Sequence, residues 1–347
     1  EPAAKELVDY AMAHGINYYD TAWGYHGGHS EAVMGRCLRQ YPRQSYYLAS
    51  KFPGYDLSNM GKVQEIFEEQ LRRCGVEYFD FYLMHSQSKD TFEHFKKCRA
   101  YETALELKKE GKIHHFGISF HDKAEVLEEI LKEYPQIEVV QIQFNYLDYE
   151  DPAVQSRKCY EVCRRYNKPV IVMEPVKGGN LVNLPDDAAK ILDNLNGGST
   201  ASYAVRFAAS FEGVMMVLSG MSNMEQMEDN LSYMKEFRAL DDIELAAVKA
   251  VAEVFKSKHM IACTACRYCV EGCPKHISIP DLFACMNAKT VFHDWNADYY
   301  YNDVHTVYNG KASDCIRCGK CEKVCPQHLP IRELLEKVAK EFEKKAE

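Results

Sequence analysis

Two stretches of the sequence repeat one spacing of cysteines. Cys263, Cys266, Cys269 and Cys273 are followed by Pro274, and Cys315, Cys318, Cys321 and Cys325 by Pro326, so each run reads C-x2-C-x2-C-x3-C-P. Three thiolates set two residues apart can wrap one face of an iron–sulfur cubane, while the fourth, turned away by its proline, reaches a second cluster. The pattern predicts two [4Fe–4S] clusters with crossed ligand sets: Cys263, Cys266, Cys269 and Cys325 for one, and Cys315, Cys318, Cys321 and Cys273 for the other. Zinc sites and a disulfide framework are the competing readings. Zinc motifs typically pair one C-x2-C with a distant second pair, and acidic intracellular chains rarely carry disulfides.

Residues 274–314 separate the two runs and carry an apolar segment, Ile279–Ala288, and an aromatic one, Trp295–Tyr301. With this insert the region resembles the α-helical ferredoxin modules fused to larger redox enzymes. The resemblance implies one-electron traffic, with a redox protein partner at the cluster domain. Cys285 falls on the apolar segment and reads as a buried apolar residue rather than a ligand.

A second set of reactive residues lies far upstream. Asp20, Lys51 and His85 each end a short β-branched or aromatic run, and Tyr25 follows Asp20 in the adjoining loop. A tyrosine of ordinary pKa, about 10, is a poor acid at neutral pH, but a neighbouring lysine ammonium favours the phenolate and eases proton donation. Asp20 would keep Lys51 charged, and His85 would hydrogen-bond a substrate oxygen or relay the proton. Together the four suit a carbonyl that is protonated on oxygen as its carbon takes a hydride.

A fold that aligns strand ends, as a barrel does, would gather residues so far apart in the chain. The runs Ile16–Thr21, Tyr46–Lys51, Phe79–His85, Ile113–Ser119, Val139–Asn145, Pro169–Glu174 and Val214–Gly220 read as strands. Between them Lys62–Arg73, Thr91–Lys109, Lys123–Tyr134, Val154–Tyr166 and Thr200–Phe211 have helical periodicity. Repeated βα units with reactive residues at the strands' C-terminal ends predict an α/β fold, a TIM (β/α)8 barrel whose active site sits on that face. A barrel wants eight strands and seven are visible. The chain opens at Glu1 and enters a helix over Ala3–His14, so the first strand is expected to be absent from this sequence. A doubly wound sheet is the alternative, but no G-x-G-x-x-G follows a strand. The barrel is expected over residues 1–258, closed by a helix over Asp241–Lys258. A small, mostly α-helical two-cluster domain is expected over 259–347, with an amphipathic helix in Ile331–Glu347.

The segment YDTAWGYHGGHSE over Tyr19–Glu31, with Ser50–Lys51, Met84–His85 and Gly117–Ser119, closely resembles the aldo-keto reductase family, and the likeness spans most of Asn17–Leu231. It implies a TIM barrel that uses a nicotinamide cofactor, NADP(H) or NAD(H), with Asp20, Tyr25, Lys51 and His85 as catalytic tetrad and Tyr25 as general acid. By the same resemblance Ser119 and Gln141 hold the nicotinamide carboxamide. Pro175 and Lys177, in PVKGG, lie along the pyrophosphate, although a solvent-facing Lys177 is equally open. Gly220, Ser222, Gln226 and Asn230 serve the adenine half. Three positions depart from the family. Phe120 stands where an asparagine usually binds the carboxamide, and Met173 where an aromatic residue stacks on the nicotinamide. No Lys or Arg in Gly220–Asn230 awaits a 2′-phosphate.

The chain has 347 residues and a net charge of −9, from 42 Lys+Arg against 51 Asp+Glu, which gives no general attraction to nucleic acid or anionic lipid. No apolar run approaches a membrane span and no leader opens the chain, so a cytoplasmic protein is expected. The function expected is an oxidoreductase that reduces a small-molecule carbonyl, or oxidises the alcohol, in a barrel fused to an electron-transferring module. Nicotinamide passes two electrons as hydride whereas each cluster passes one, so a converter is missing. One alternative therefore places a flavin in the barrel. Another makes the protein an electron-transfer or redox-sensing protein with the barrel as scaffold. Trp23, His26, Tyr55 and Tyr146 are candidate pocket-lining residues.

Overall fold

The computed structural model describes residues 1–151, 154–195, 197–258, 261, 263, 267–293, 297–323, 325 and 329–343. Cys266, Trp295 and Pro326 lie outside these residues. The chain divides into two compact units, Glu1–Gly178 with Gly197–Leu245, and Gly179–Asn196 with Ala246–Glu347.

The first unit is built on seven strands: β1 (Tyr18–Asp20), β2 (Tyr47–Phe52), β3 (Phe79–Gln87), β4 (Ile113–Phe120), β5 (Val139–Gln143), β6 (Val170–Met173) and β7 (Val214–Val217). They pair in chain order and in parallel at every step. Among the described residues this is an incomplete TIM barrel, with seven strands where a closed barrel has eight. Every strand expected from the sequence is present, with ends shifted by no more than three residues. Ala49, Phe81, Leu83, Val139 and Ile171 pack with Tyr18, Met216 and Leu218 into one apolar cluster contributed by six of the strands or their ends. Gly117 on β4 is required there. A Cβ would come within 2.5 Å of Val139 O and 2.7 Å of Leu83 Cδ2, so any larger residue would overpack the cluster.

The helices, in chain order, are α1 (Pro2–Ala13), α2 (Ser30–Leu38), α3 (Val63–Cys74), α4 (Lys89–Lys97), α5 (Ala100–Lys109), α6 (Ala124–Glu133), α7 (Ser156–Arg165), α8 (Asp186–Asp193), α9 (Thr200–Ala209), α10 (Met224–Met234) and α11 (Asp242–Ser257). Where the sequence predicts one helix over Thr91–Lys109, the structure has two. The break falls at Arg99, which adopts a left-handed conformation with φ 55°. The burial pattern gives the reason. Phe92 and Phe95 are buried on α4, and Ala100, Tyr101, Ala104 and Leu107 on α5. At about 100° per residue these two sets fall on different sides of a straight helix, so one unbroken helix could not bury both.

The second unit contains α8 and most of α11, then α12 (Tyr268–Glu271), α13 (Ile279–Phe292), α14 (Ala297–Tyr299), α15 (Lys320–Lys323) and α16 (Ile331–Phe342). Ile331, Leu335, Val338 and Phe342, spaced four, three and four apart, form the buried stripe of α16 and join Ile279, Leu282 and Phe283 of α13 in one core. Tyr301 locks the insert to this core. Its ring stacks on Phe342 at 4.5 Å, and its hydroxyl donates to Glu343 Oε1 at 2.5 Å and accepts from Ala312 N at 3.0 Å. Cys285 is buried in the same core. No helix among the described residues is long and apolar enough to cross a membrane.

Candidate active site

The parallel register aligns the strand ends. Asp20 pairs with Ala49, Lys51 with Leu83, Met84 with Ile118, and Ser119 with Gln141. Asp20, Lys51, His85, Ser119 and Gln141 therefore stand in sequence along the C-terminal rim of the barrel.

Lys51 is completely buried, and its Nζ donates to Asp20 Oδ1 and, at 2.9 Å, to Thr21 O. Burial pulls this amine toward the neutral form, but the Asp20 carboxylate and Tyr25 outweigh it and hold the pKa above the usual lysine value. Burial raises the Asp20 carboxyl, against the pull of Lys51. The second carboxylate oxygen of Asp20 is buried without a hydrogen-bond partner. Tyr25 begins a tight turn after β1 and is about one-third exposed, with its ring centroid 4.7 Å from Lys51 Nζ. His85 sits between two tyrosines that meet it edge-on, Tyr25 at 5.6 Å and Tyr55 at 5.4 Å. Its Nδ1 is buried and unpartnered. Burial first, then the Lys51 ammonium and His121, lower the His85 pKa to about 3, so the ring is neutral at physiological pH. The four residues singled out by the sequence thus occupy one place, with one fixed cation, one neutral imidazole and one exposed phenol.

A polar network that the sequence reading did not identify supports β2 from behind. Glu31 is fully buried and accepts from Ser50 Oγ and Gln70 Nε2, both at 2.6 Å, while Arg73 reaches its other oxygen at 3.3 Å. Gln70 Nε2 also donates to the Lys51 carbonyl at 3.0 Å, and its Oε1 accepts from Tyr82 at 2.6 Å. The backbone that carries Lys51 is therefore tied to α2, α3 and β3. The sequence held a signal: Gln70 interrupts the apolar stripe Val63, Ile66, Phe67, Cys74 of α3. Trp23 lies beneath the Arg73 guanidinium at 3.7 Å, next to this network.

Ser119 Oγ accepts from Ser86 N at 2.8 Å, and Gln141 is buried with its Oε1 unpartnered. An orphaned carbonyl oxygen beside a serine fits a carboxamide, whose N–H groups would satisfy it. Met173 ends β6, half-buried and paired with Gln143. Pro175 follows in the loop. Lys177 donates to Asp148 Oδ1 at 2.7 Å, a buried carboxylate that also accepts from Gln143 and Asn145, so its charge is matched within the barrel. Gly178 has φ 62° and nothing within 4 Å of a built Cβ, which leaves its backbone open to close approach. After β7, Ser222 N donates to Gln226 Oε1 at 2.7 Å, and Asn230 joins Ser219 Oγ at 3.1 Å and Gln226 O at 2.7 Å. These side chains shape the loop that starts at Gly220. Tyr146 is buried, with its hydroxyl unpartnered.

In the second unit Cys273, Cys315, Cys318 and Cys321 line one cavity, floored by Ile277, Ile279 and Leu335. Cys263, Cys269 and Cys325 pack around the same apolar core. Among the described residues no three His, Cys, Asp or Glu side chains converge on a single point as one metal ion requires. Four thiols spread around a cavity suit the faces of a cubane.

Residues 1–253 match the aldo/keto reductase family and residues 262–330 a 4Fe-4S dicluster domain. Over 185 residues the chain is 28% identical to the NADH-specific methylglyoxal reductase of Escherichia coli, covering 48% of this chain and 54% of that protein, so it spans about half that relative's length. It is 25% identical over 279 residues to the L-galactose dehydrogenase of Arabidopsis thaliana, covering 74% of this chain and 86% of that one. Among solved structures, an aldo-keto reductase from Bacillus halodurans in its holo form superposes with a TM-score of 0.55 at 25% identity, covering 72% of this chain and 86% of the other.

Proposed function

We propose that this chain, which belongs to the aldo/keto reductase family and carries a 4Fe-4S dicluster domain after its barrel, moves hydride between NAD(P)H and a small-molecule carbonyl or its alcohol. A nicotinamide cofactor, when bound, supplies the hydride. Ser119 and Gln141 would hold its carboxamide, and the open backbone at Gly178 would face its phosphates. The observation that carries the reading is the buried Lys51–Asp20 pair beneath the Tyr25 ring. The Lys51 ammonium stabilises negative charge on the Tyr25 oxygen as the proton leaves for the substrate. Asp20 keeps that ammonium charged in a site where burial alone would neutralise it. His85, held neutral, has an N–H to offer the substrate oxygen without adding a second cation, and so orients the carbonyl toward Tyr25.

In the cysteine domain, one cluster would take Cys273, Cys315, Cys318 and Cys321, and the other Cys263, Cys266, Cys269 and Cys325. Such clusters supply one-electron transfer. The decisive experiment is Tyr25→Phe. Turnover of carbonyl substrates with NAD(P)H should fall at least about 100-fold while the nicotinamide still binds. Unchanged turnover would remove Tyr25 from the role of acid.

A further inference from the structure

Residues 311–323 carry Lys311, Arg317, Lys320 and Lys323 against Asp314 and Glu322, a cationic stretch in a chain of net charge −9. Its carboxylates are engaged. Asp314 accepts from Lys311 N at 2.8 Å, and Glu322 pairs with Arg332 at 2.6 Å. Arg317 is matched by Glu336. Lys311 and Lys320 are exposed and make no ion pair among the described residues, and the same holds for Lys275.

Lys275 and Lys320 line the cavity of Cys273, Cys315, Cys318 and Cys321, together with Ile316. Ile316 is 57% exposed and Cys318 is exposed as well, so this cavity opens to solvent on an apolar side chain flanked by two free ammonium groups. A second apolar residue stands close by. Gly310 bridges to Ile277 in a parallel β-bridge, which sets the 308–311 segment beside Lys275–Ile277, and Tyr308 on that segment is 93% exposed. An apolar centre rimmed by cations is the composition of a protein docking face, and the sign of the rim selects the partner.

We propose that the face formed by Ile316, Tyr308, Lys275, Lys311 and Lys320 docks a small acidic one-electron carrier protein, and that the cavity of Cys273, Cys315, Cys318 and Cys321 is where electrons enter or leave the chain. The step is a single electron transfer. The carrier loses one electron, the cluster goes from the 2+ to the 1+ core, and no bond or proton moves; export is the same step reversed. This rests on the reading of the cysteine domain as an electron-transfer module.

The test uses the full chain with its clusters assembled anaerobically and iron counted on every sample. It is titrated calorimetrically with an acidic plant-type [2Fe–2S] ferredoxin, with basic cytochrome c as the charge control. The ferredoxin should bind, more weakly as salt rises. The Lys275→Glu/Lys320→Glu double variant should weaken it at least about tenfold at unchanged iron content. Ile316→Ser should weaken binding while keeping its salt dependence. Equal binding of cytochrome c, or an unaltered affinity in the double variant, overturns the docking face. Stopped-flow mixing with reduced ferredoxin separates the two readings. Lysine-dependent binding without bleaching of the cluster absorbance leaves the face standing and overturns electron transfer through it.

Discussion

The barrel rim and the cysteine cavity are both reactive centres, yet they are finished to different degrees by the polypeptide. At the rim the chain supplies every charge and most of the constraints. Lys51 is buried against Asp20, its strand is tied down through Glu31 and Gln70, and His85 is clamped between two rings. In the cysteine domain the chain supplies thiols around a cavity and an apolar core behind them, and leaves the centre to a group that must come from outside. One site is preorganised by side chains. The other presents thiols around a cavity for an added group to join.

The largest effect expected from this contrast follows removal of iron. Full assembly should give about eight irons per chain. Anaerobic chelation should then lower the helical signal of residues 261–343 and expose their amides to hydrogen exchange, while the barrel's amides and its NAD(P)H-dependent carbonyl reduction persist. Loss of protection at β1–β3 on chelation would break the contrast, because the rim would then owe its order to the metal as well.

Next in size is Lys51→Met. It leaves the Asp20 carboxylate buried without its cation, a situation that costs roughly 3–5 kcal/mol. The variant should be inactive and less stable to urea by about that amount, whereas Lys51→Met with Asp20→Asn should recover much of the stability and none of the turnover. A stable, active Lys51→Met would show that the rim is not built around this ion pair.

The smallest effect concerns pH. His85 is held near pKa 3 in the folded chain against about 6.5 when unfolded. Below about pH 6.5 the unfolded state therefore binds a proton that the folded state refuses. The stability linked to His85 is fully present above that pH and declines as pH falls toward 3, by about 1.4 kcal/mol per unit. Between pH 7 and pH 5 wild-type protein should lose roughly 2 kcal/mol more than His85→Gln, read from urea midpoints. Parallel losses in the two proteins would mean that His85 titrates normally and that its clamp is loose.

The seven strands were readable because parallel strands buried on both faces leave near-continuous apolar runs, such as Phe79–Met84, closed by a polar residue in six of the seven, the last ending on Gly220. The reactive rim was readable because Asp20, Lys51 and His85 stand at those ends. Other features depend on tertiary geometry that no local run encodes. The break at Arg99 follows from two burial directions that only the packed helices define. The contacts of Glu31 with Gln70 join residues 39 apart in the chain. Lys177 reads equally as a cation along a phosphate or as a solvent-facing residue; its partner Asp148 sits 29 residues upstream and is brought to it by the ends of β5 and β6. Tyr55 reads from the sequence as a pocket-lining residue, but its place against His85 is set by the loop after β2.

The sheet order has a consequence for how the molecule is made. Since each strand pairs with the next one in the chain, every pairing closes a loop of a few tens of residues, and the entropy lost at each closure is modest. Assembly can then proceed as the chain leaves the ribosome, one hairpin-sized crossover after another, without waiting for a distant segment. Asp20, Tyr25, Lys51 and His85 all belong to β1, β2, β3 and the first intervening turn, so nascent chain ending shortly after Gln87 already holds the whole acid–base set. The two cysteine runs follow all seven strands in the chain, so they are synthesised after the acid–base set.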